Sequence, residues 1–283
     1  MWNQSAPYDQ MTPELFEEKL YEDQDFSEDL TLVAEEDKFA GFIMGVRRRL
    51  ENQVTGYIKL LVVDPAYRQK QIGSELLRHL EQKLLESGAK NVRVFESNPN
   101  YLIPGIDPRS TETIVFFERR GYERCGDTAN MEVELAKRSF DTLEDEQQLR
   151  KQGYEIRRAM MGDRDEINQL LNMHWRAWIP EVERALLNYP ISLHVALRQG
   201  KIVAFSAFDG NNRNTGWFGP MGTDPQHRGR KLGEVLLKRC LADIQEQRRR
   251  MAIIPWVGPY AFYSHHVGAR ISRVFWRYRK TLS

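Results

Sequence analysis

An ungapped internal repeat fixes the plan of this chain before any single element is assigned. Residues 55–77, TGYIKLLVVDPAYRQKQIGSELL, lie over residues 215–237, TGWFGPMGTDPQHRGRKLGEVLL, at a constant offset of 160. Identities fall on Thr55/Thr215, Gly56/Gly216, Asp64/Asp224, Pro65/Pro225, Arg68/Arg228, Gly73/Gly233, Leu76/Leu236 and Leu77/Leu237. A chain of 283 residues accommodates two domains of ordinary size. Each copy is therefore read as the heart of its own domain.

The flanks support that reading. LTLVA (30–34) and LHVAL (193–197) each precede a turn and a second apolar stretch, GFIMGV (41–46) and VAFSAF (203–208), as hairpins do. After each repeat, Leu76, Leu77, Leu80 and Leu84, and Leu236, Leu237, Cys240, Leu241 and Ile244, recur at helical spacing. Strands are then expected at 91–97 and 251–257, helices at 114–120 and 260–266, and closing strands at 131–135 and 272–280. The order strand, strand, strand, helix, strand, helix, strand occurs twice, an α/β (α+β) pattern with a mixed central sheet flanked by helices. Only the C-terminal copy shows a full opening, with a strand at 154–159 and a helix at 164–178; the N-terminal copy lacks a first strand. Charged, weakly apolar residues 139–153 read as a linker with a short helix, giving domains at 1–138 and 154–283.

Acidic and basic residues nearly cancel, 40 against 41. No global field recommends a nucleic acid or a membrane surface as partner. The run Arg248, Arg249, Arg250 is short and sits at a helix end, where the dipole favours cations. Two cysteines, Cys125 and Cys240, are too few for a disulfide framework or a zinc site, so the cytoplasm is the expected compartment and no metal is expected. No apolar run is long enough to cross a bilayer and no secretory leader is evident.

The telling element is the junction of the third strand with the following helix. The first amides of a helix have no internal partners and sit at the positive end of its dipole, so they suit a phosphate oxygen. Gly73 and Gly233 keep the backbone approachable, and Arg68, Lys70, Arg228, Arg230 and Lys231 add charged donors. These strings, RQKQIG (68–73) and RGRKLG (228–233), resemble the acetyl-CoA loop of the GCN5-related N-acetyltransferase (GNAT) family, Gln/Arg-x-x-Gly-x-Gly/Ala. Gln71 and Lys231 stand where that family has its first glycine. The loop works with these residues provided that neither is required at positive φ.

The resemblance covers nearly the whole chain and implies two tandem GNAT domains that use acetyl-CoA as acyl donor. It implies that the pantetheine arm pairs like an added strand with Leu61, Val62 and Val63 or with Met221, Gly222 and Thr223. The pyrophosphate is then held by Arg68, Gln69, Lys70, Gln71, Ile72, Gly73 and Ser74 in one copy. In the other it is held by Arg228, Gly229, Arg230, Lys231, Leu232, Gly233 and Glu234. Family members commonly supply a tyrosine that protonates the departing sulfur; here the match is Tyr263, while Phe117 holds the place in the N-terminal copy. The departing thiol has a pKa of roughly 8.5, so such an acid assists more than it enables.

No general base is assigned. Asp209, Asp224, His265 and His266 are candidates, of which Asp224, like Asp64, reads rather as the cap of an Asp-Pro turn. Glu96 and the Pro/Gly segment 98–110 either bind substrate, bind a second CoA, or brace the other half. Trp175, Trp178, Trp217, Phe218 and Trp256 either line an acceptor pocket or pack the core. The C-terminal string also looks like tandem acetyltransferases that include glucosamine and glucosaminide N-acetyltransferases. The expectation is thus a monomeric N-acetyltransferase acting on a primary amine of a small molecule, such as an amino sugar, by direct attack in a ternary complex. The alternative is a non-catalytic CoA-binding regulatory or structural module.

Overall fold

The computed structural model describes residues 1–50, 53–136 and 138–283. In chain order, helices α1 (Trp2–Ser5) and α2 (Pro13–Leu20) precede strands β1 (Thr31–Glu35), β2 (Phe39–Leu50) and β3 (Gln53–Val63). Next come α3 (Ile72–Glu86), β4 (Asn91–Val94), α4 (Thr111–Glu118) and β5 (Glu123–Glu134). The chain continues through α5 (Leu143–Lys151), β6 (Tyr154–Arg158), α6 (Arg164–His174), α7 (Ile179–Leu187), β7 (Leu193–Arg198), β8 (Lys201–Phe208) and β9 (Phe218–Thr223). It ends with α8 (Leu232–Glu246), β10 (Met251–Ile254), α9 (Tyr260–Val267) and β11 (Arg270–Thr281). No helix among the described residues is long and apolar enough to cross a membrane.

Two compact units form, Met1–Thr128 with Val274–Ser283, and Ala129–Arg273. In the first, β1, β2 and β3 form an antiparallel meander and β4 joins β3 in parallel. The last residues of β11 then pair antiparallel with β4, Arg279 opposite Arg93. The amphipathic α3 lays Leu76, Leu77, Leu80 and Leu84 on this sheet. Contact is close because the strands beneath carry glycine: a Cβ on Gly45 would come within 2.6 Å of Leu80, and one on Gly56 within 2.9 Å of Leu84.

In the second unit β6, β7, β8 and β9 form an antiparallel sheet, while β10 pairs with residues 131–134 of β5. The β7–β8 hairpin turns through Gln199 and Gly200, both at positive φ (51° and 78°), the geometry that suits a two-residue connection. Helix α8 repeats the role of α3, burying Leu236, Leu237, Cys240, Leu241 and Ile244. Both helices stop at a left-handed residue, Gly88 (φ 90°) in one copy and Arg248 (φ 62°) in the other.

The expected elements are in place, and among the described residues no strand precedes β1, but the units are not the halves that the repeat suggests. Both unit boundaries fall inside the closing strands: β5 supplies Met131 and Val133, followed by Leu135 just past its end, to the second unit's core, and β11 supplies Tyr278 to the first unit's core. An alternating strand specifies a buried face and not a partner, so sequence pattern cannot assign either strand to a sheet. Residues 139–153 are not a free linker. Helix α5 buries Leu149 among Ala204, Leu232 and Leu236, and its Glu146 pairs with Arg239 at 2.9 Å.

The arrangement predicts that deleting residues 274–283 unfolds the first unit although they end the chain. Limited proteolysis followed by mass spectrometry should show new cuts within 1–128; cuts confined to 129–273 would contradict the assignment.

Candidate active site

The two repeat loops are conformational copies. Asp64 and Asp224 leave their strands at φ/ψ of −54°/132° and −47°/129°, and each carboxylate accepts the amide two residues on, from Ala66 and Gln226, at 2.8 Å. Both aspartates thus cap the turn, as read from their Asp-Pro pairs. Arg68 and Arg228 follow at −64°/159° and −66°/163°, and each turns its Nε back to the strand's last carbonyl, Val63 at 3.4 Å and Thr223 at 3.2 Å. Gln71 and Lys231 then occupy the left-handed region, at φ 67° and 64°.

Those last two angles overturn one expectation from the sequence. The position where a glycine is usual does require positive φ, and this chain places Gln and Lys there regardless. A side chain in that region costs about 1–2 kcal/mol relative to glycine, so the loop stores strain in both copies. The conformation has a clear result: neither helix has a side-chain cap, and the amides of its first turn are left for a ligand.

Gly73 and Gly233 serve packing. An added Cβ at Gly73 would lie 3.2 Å from Phe116 and 3.5 Å from Val63; at Gly233 it would lie 3.3 Å from Met221 and 3.5 Å from Phe262. These contacts seat the first helical turn on the strand end and bring 61–63 beside 68–74, and 221–223 beside 228–234. They also match Phe116 with Phe262, hence Phe117 with Tyr263.

Beside each loop two parallel strands part. In the first unit β3 and β4 stay paired through Ile58 and Val94, with a last bond from the Phe95 amide to the Ile58 carbonyl at 2.8 Å. In the second, pairing is down to a bridge between Trp217 and Ile253, with the Ile253 amide on the Gly216 carbonyl at 2.8 Å. Pro255 stands where Phe95 does and has no N–H to give, and Pro220 within β9 has none either. The edges at 61–63 and 221–223 are thereby left without a strand partner on that side, among the described residues. An open edge, a helix start with unpaired amides and flanking exposed cations thus lie together in each unit, a donor set whose chemistry suits a pantetheine arm and a pyrophosphate.

A β-bulge marks the parting point in both copies. Pairing of β2 with β3 passes from Met44–Leu60 to Gly45–Ile58 and skips Lys59, and pairing of β8 with β9 passes from Ser206–Met221 to Phe208–Phe218 and skips Gly219 and Pro220. The two bulges differ in what they carry. Lys59 is fully buried and bonds Asp23, which also takes two bonds from Arg48 at 2.6 and 2.7 Å. Burial pulls the Lys59 ammonium down, whereas for Asp23 the bonds and charges of Arg48 and Lys59 outweigh burial and keep the carboxyl low. Gly219 has no side chain, and a Cβ built on it would meet nothing within 4 Å.

Tyr263 packs edge-on against Phe218, at 6.1 Å between ring centroids, where β9 begins to part from β10. Burial pushes its phenol up, and its hydroxyl has no protein hydrogen-bond partner among the described residues. Phe117, its counterpart, is sealed among Phe95, Phe116 and Tyr122.

The other candidates find structural places. The Asp209 carboxylate accepts the Asn214 amide at 3.1 Å and the Gln247 side chain at 3.1 Å, which folds the β8–β9 loop. Glu96 is buried between Arg93 and Arg277. Segment 98–110 is packed, with Ile106 and Trp276 exchanging backbone bonds of 2.8 Å. Phe218 lies in the core, whereas Trp175 and Trp178 are half-buried and stacked at 5.6 Å, with Trp175 lying directly on Gly222. His265 is exposed; His266 is half-buried with Nδ1 3.1 Å from Glu234. Among the described residues no group of three or more His, Cys, Asp or Glu could hold a metal ion. Sequence reading missed Lys59, since an isolated lysine in an apolar strand gives no sign of the bulge that turns it inward.

The sequence profile of the acetyltransferase (GNAT) family matches residues 2–101 and 154–266, one match on each repeat. The chain belongs to the acetyltransferase (GNAT) family. Acetyl transfer is the activity that goes with this family, and the tandem arrangement recurs among solved structures. The chain is similar to the GCN5-related glucosamine N-acetyltransferase region of a fungal multi-domain GH3 β-N-acetylglucosaminidase, with a TM-score of 0.82 and 17% identity over 99% of this chain. It spans only 36% of that protein's length. It is also similar to a GNAT from Sphaerobacter thermophilus, with a TM-score of 0.61 and 17% identity over 87% of this chain and 78% of the other. A tandem GNAT protein from the clavulanic acid biosynthesis pathway gives 0.60 and 15%, over 91% and 85%. No curated protein matches the chain in sequence. At these identities the solved structures speak for the fold.

The strained loop predicts that Gln71→Gly raises unfolding stability by about 1 kcal/mol, read as a higher urea midpoint at unchanged slope. An unchanged or lower midpoint would contradict the strain.

Proposed function

We propose that this chain transfers the acetyl group of acetyl-CoA to a primary amine of a small molecule, with an amino sugar as the acceptor class, and that the second unit carries the reaction. The observation that carries this reading is the contrast between the two bulges. At the point where the strands part, the second unit has open space beside Gly219 and a tyrosine with an unengaged hydroxyl. The first unit has Lys59 locked to Asp23 and a sealed Phe117.

Acetyl-CoA supplies an activated thioester when bound. The chain's own residues then act on position and protons. Edge groups of 221–223 align the pantetheine arm, and the amides of 231–234 with Arg228 and Arg230 hold the pyrophosphate. Tyr263 keeps its proton at neutral pH, because burial raises its phenol, and holds it at Oη for the departing sulfur. The acceptor amine attacks in the neutral form, in a ternary complex; the C–S bond breaks as the C–N bond forms, and the proton that the nitrogen sheds passes to solvent water, which returns one to Tyr263.

Two observations support an amino sugar. The stacked Trp175–Trp178 pair offers a flat apolar face of the kind on which sugar rings settle, and the fungal neighbour is named for glucosamine. The first unit, lacking both tyrosine and open bulge, suits the alternative role of a cofactor-binding module without transfer.

An amine panel assayed with acetyl-CoA by free thiol release should show turnover with glucosamine. Tyr263→Phe should lower kcat by about 10²-fold, the low end for a general acid, while the Kd for CoA stays put. Unchanged kcat would remove Tyr263 from the mechanism, and no turnover with any amine would favour the non-catalytic module.

A further inference from the structure

One pair of side chains breaks the equivalence of the two loops. The third helical residue is Ser74 in α3 and Glu234 in α8. The residue that reaches it from the neighbouring helical segment is Arg120 in the first unit and His266 in the second. The two are structural counterparts. Each follows by four residues the phenylalanine that seats its loop glycine, and each lies on that ring, Arg120 at 3.8 Å and His266 at 4.7 Å between ring centroids. The ungapped repeat hides the match, because the loop after β4 (95–110) is longer than that after β10 (255–259).

Arg120 donates to the Ser74 hydroxyl and, at 2.7 Å, to the Phe116 carbonyl, which holds a full cation beside the amides of 71–74. At the same place Glu234 puts a carboxylate. Burial is the largest influence and opposes its charge, yet the bond from Lys238 at 2.6 Å and the neighbouring positive charge together outweigh it and keep the carboxyl low. The groups that face His266 are Glu234 on α8, with Lys238 behind it, and His265 on its own helix. Lys231 of the loop is held 3.0 Å from Asp145 of α5, so part of the loop's positive charge is already answered.

We infer that the two loops hold an anionic cofactor unequally: Arg120 contacts phosphate in the first unit, whereas Glu234 opposes the anion in the second. This rests on the reading that both loops take CoA. Exchanging a cation for an anion within hydrogen-bond range of a phosphate changes binding steeply, since bonds to charged groups are the strong ones.

Calorimetry of the full chain with CoA at pH 8 tests this. At pH 8 a tight and a weak site are expected, and Arg120→Ala should weaken the tight one about tenfold. Glu234→Gln should strengthen the weak site at pH 8 by about tenfold. A gain in affinity cannot arise from misfolding. A single wild-type site that is weakened by Arg120→Ala and joined by a second in Glu234→Gln would also support the inference. Two sites of equal affinity at pH 8 would overturn it alone, and absence of heat at both loops would overturn the reading beneath it as well.

Discussion

Unpaired amides at the start of a helix are the constraint on which the rest of this molecule turns. A buried, uncapped helix start is costly unless something meets its donors. Here the chain goes further and forces the residue before each helix into the left-handed region, with Gln71 and Lys231 bearing strain that glycine would relieve. The Asp-Pro turn, the returning arginine and the glycine seated on a phenylalanine all serve to place that one turn of backbone against an open strand edge. Because all of these recur in both copies, the loop is the preserved part of the duplication.

What diverged lies one step away, at the bulge and at the helix that covers it. Bulges bend strands and re-aim side chains, and here the two carry different residues. Gly219 leaves open space beside it, whereas Lys59 is buried against Asp23; Tyr263 brings a hydroxyl and Phe117 brings only bulk. Pro220 and Pro255 widen the opening by withholding the amides that would close it. The same backbone device thus supports two different fates.

Much of this was legible in the sequence. The repeat, the helical leucines and the apolar pairs gave the element order, because short-range periodicity reports a buried face directly. The Asp-Pro pairs marked the two turns that Asp64 and Asp224 cap. The partners of the closing strands were not legible, since Met131 to Leu135 alternate equally well for any sheet. Nor was the left-handed angle at Gln71 and Lys231, which side chains of that type ordinarily avoid. The Arg120/His266 correspondence was hidden by unequal loops, and the engagement of Asp209 and Glu96 with their neighbours depends on contacts that no local pattern encodes.

Amide hydrogen exchange with and without CoA reads the two helix starts directly. Slowed exchange on CoA addition is expected at 71–75 and 231–235, together with the strand edge at 221–223. Unchanged exchange at both helix starts, with protection appearing elsewhere in the chain, would contradict it.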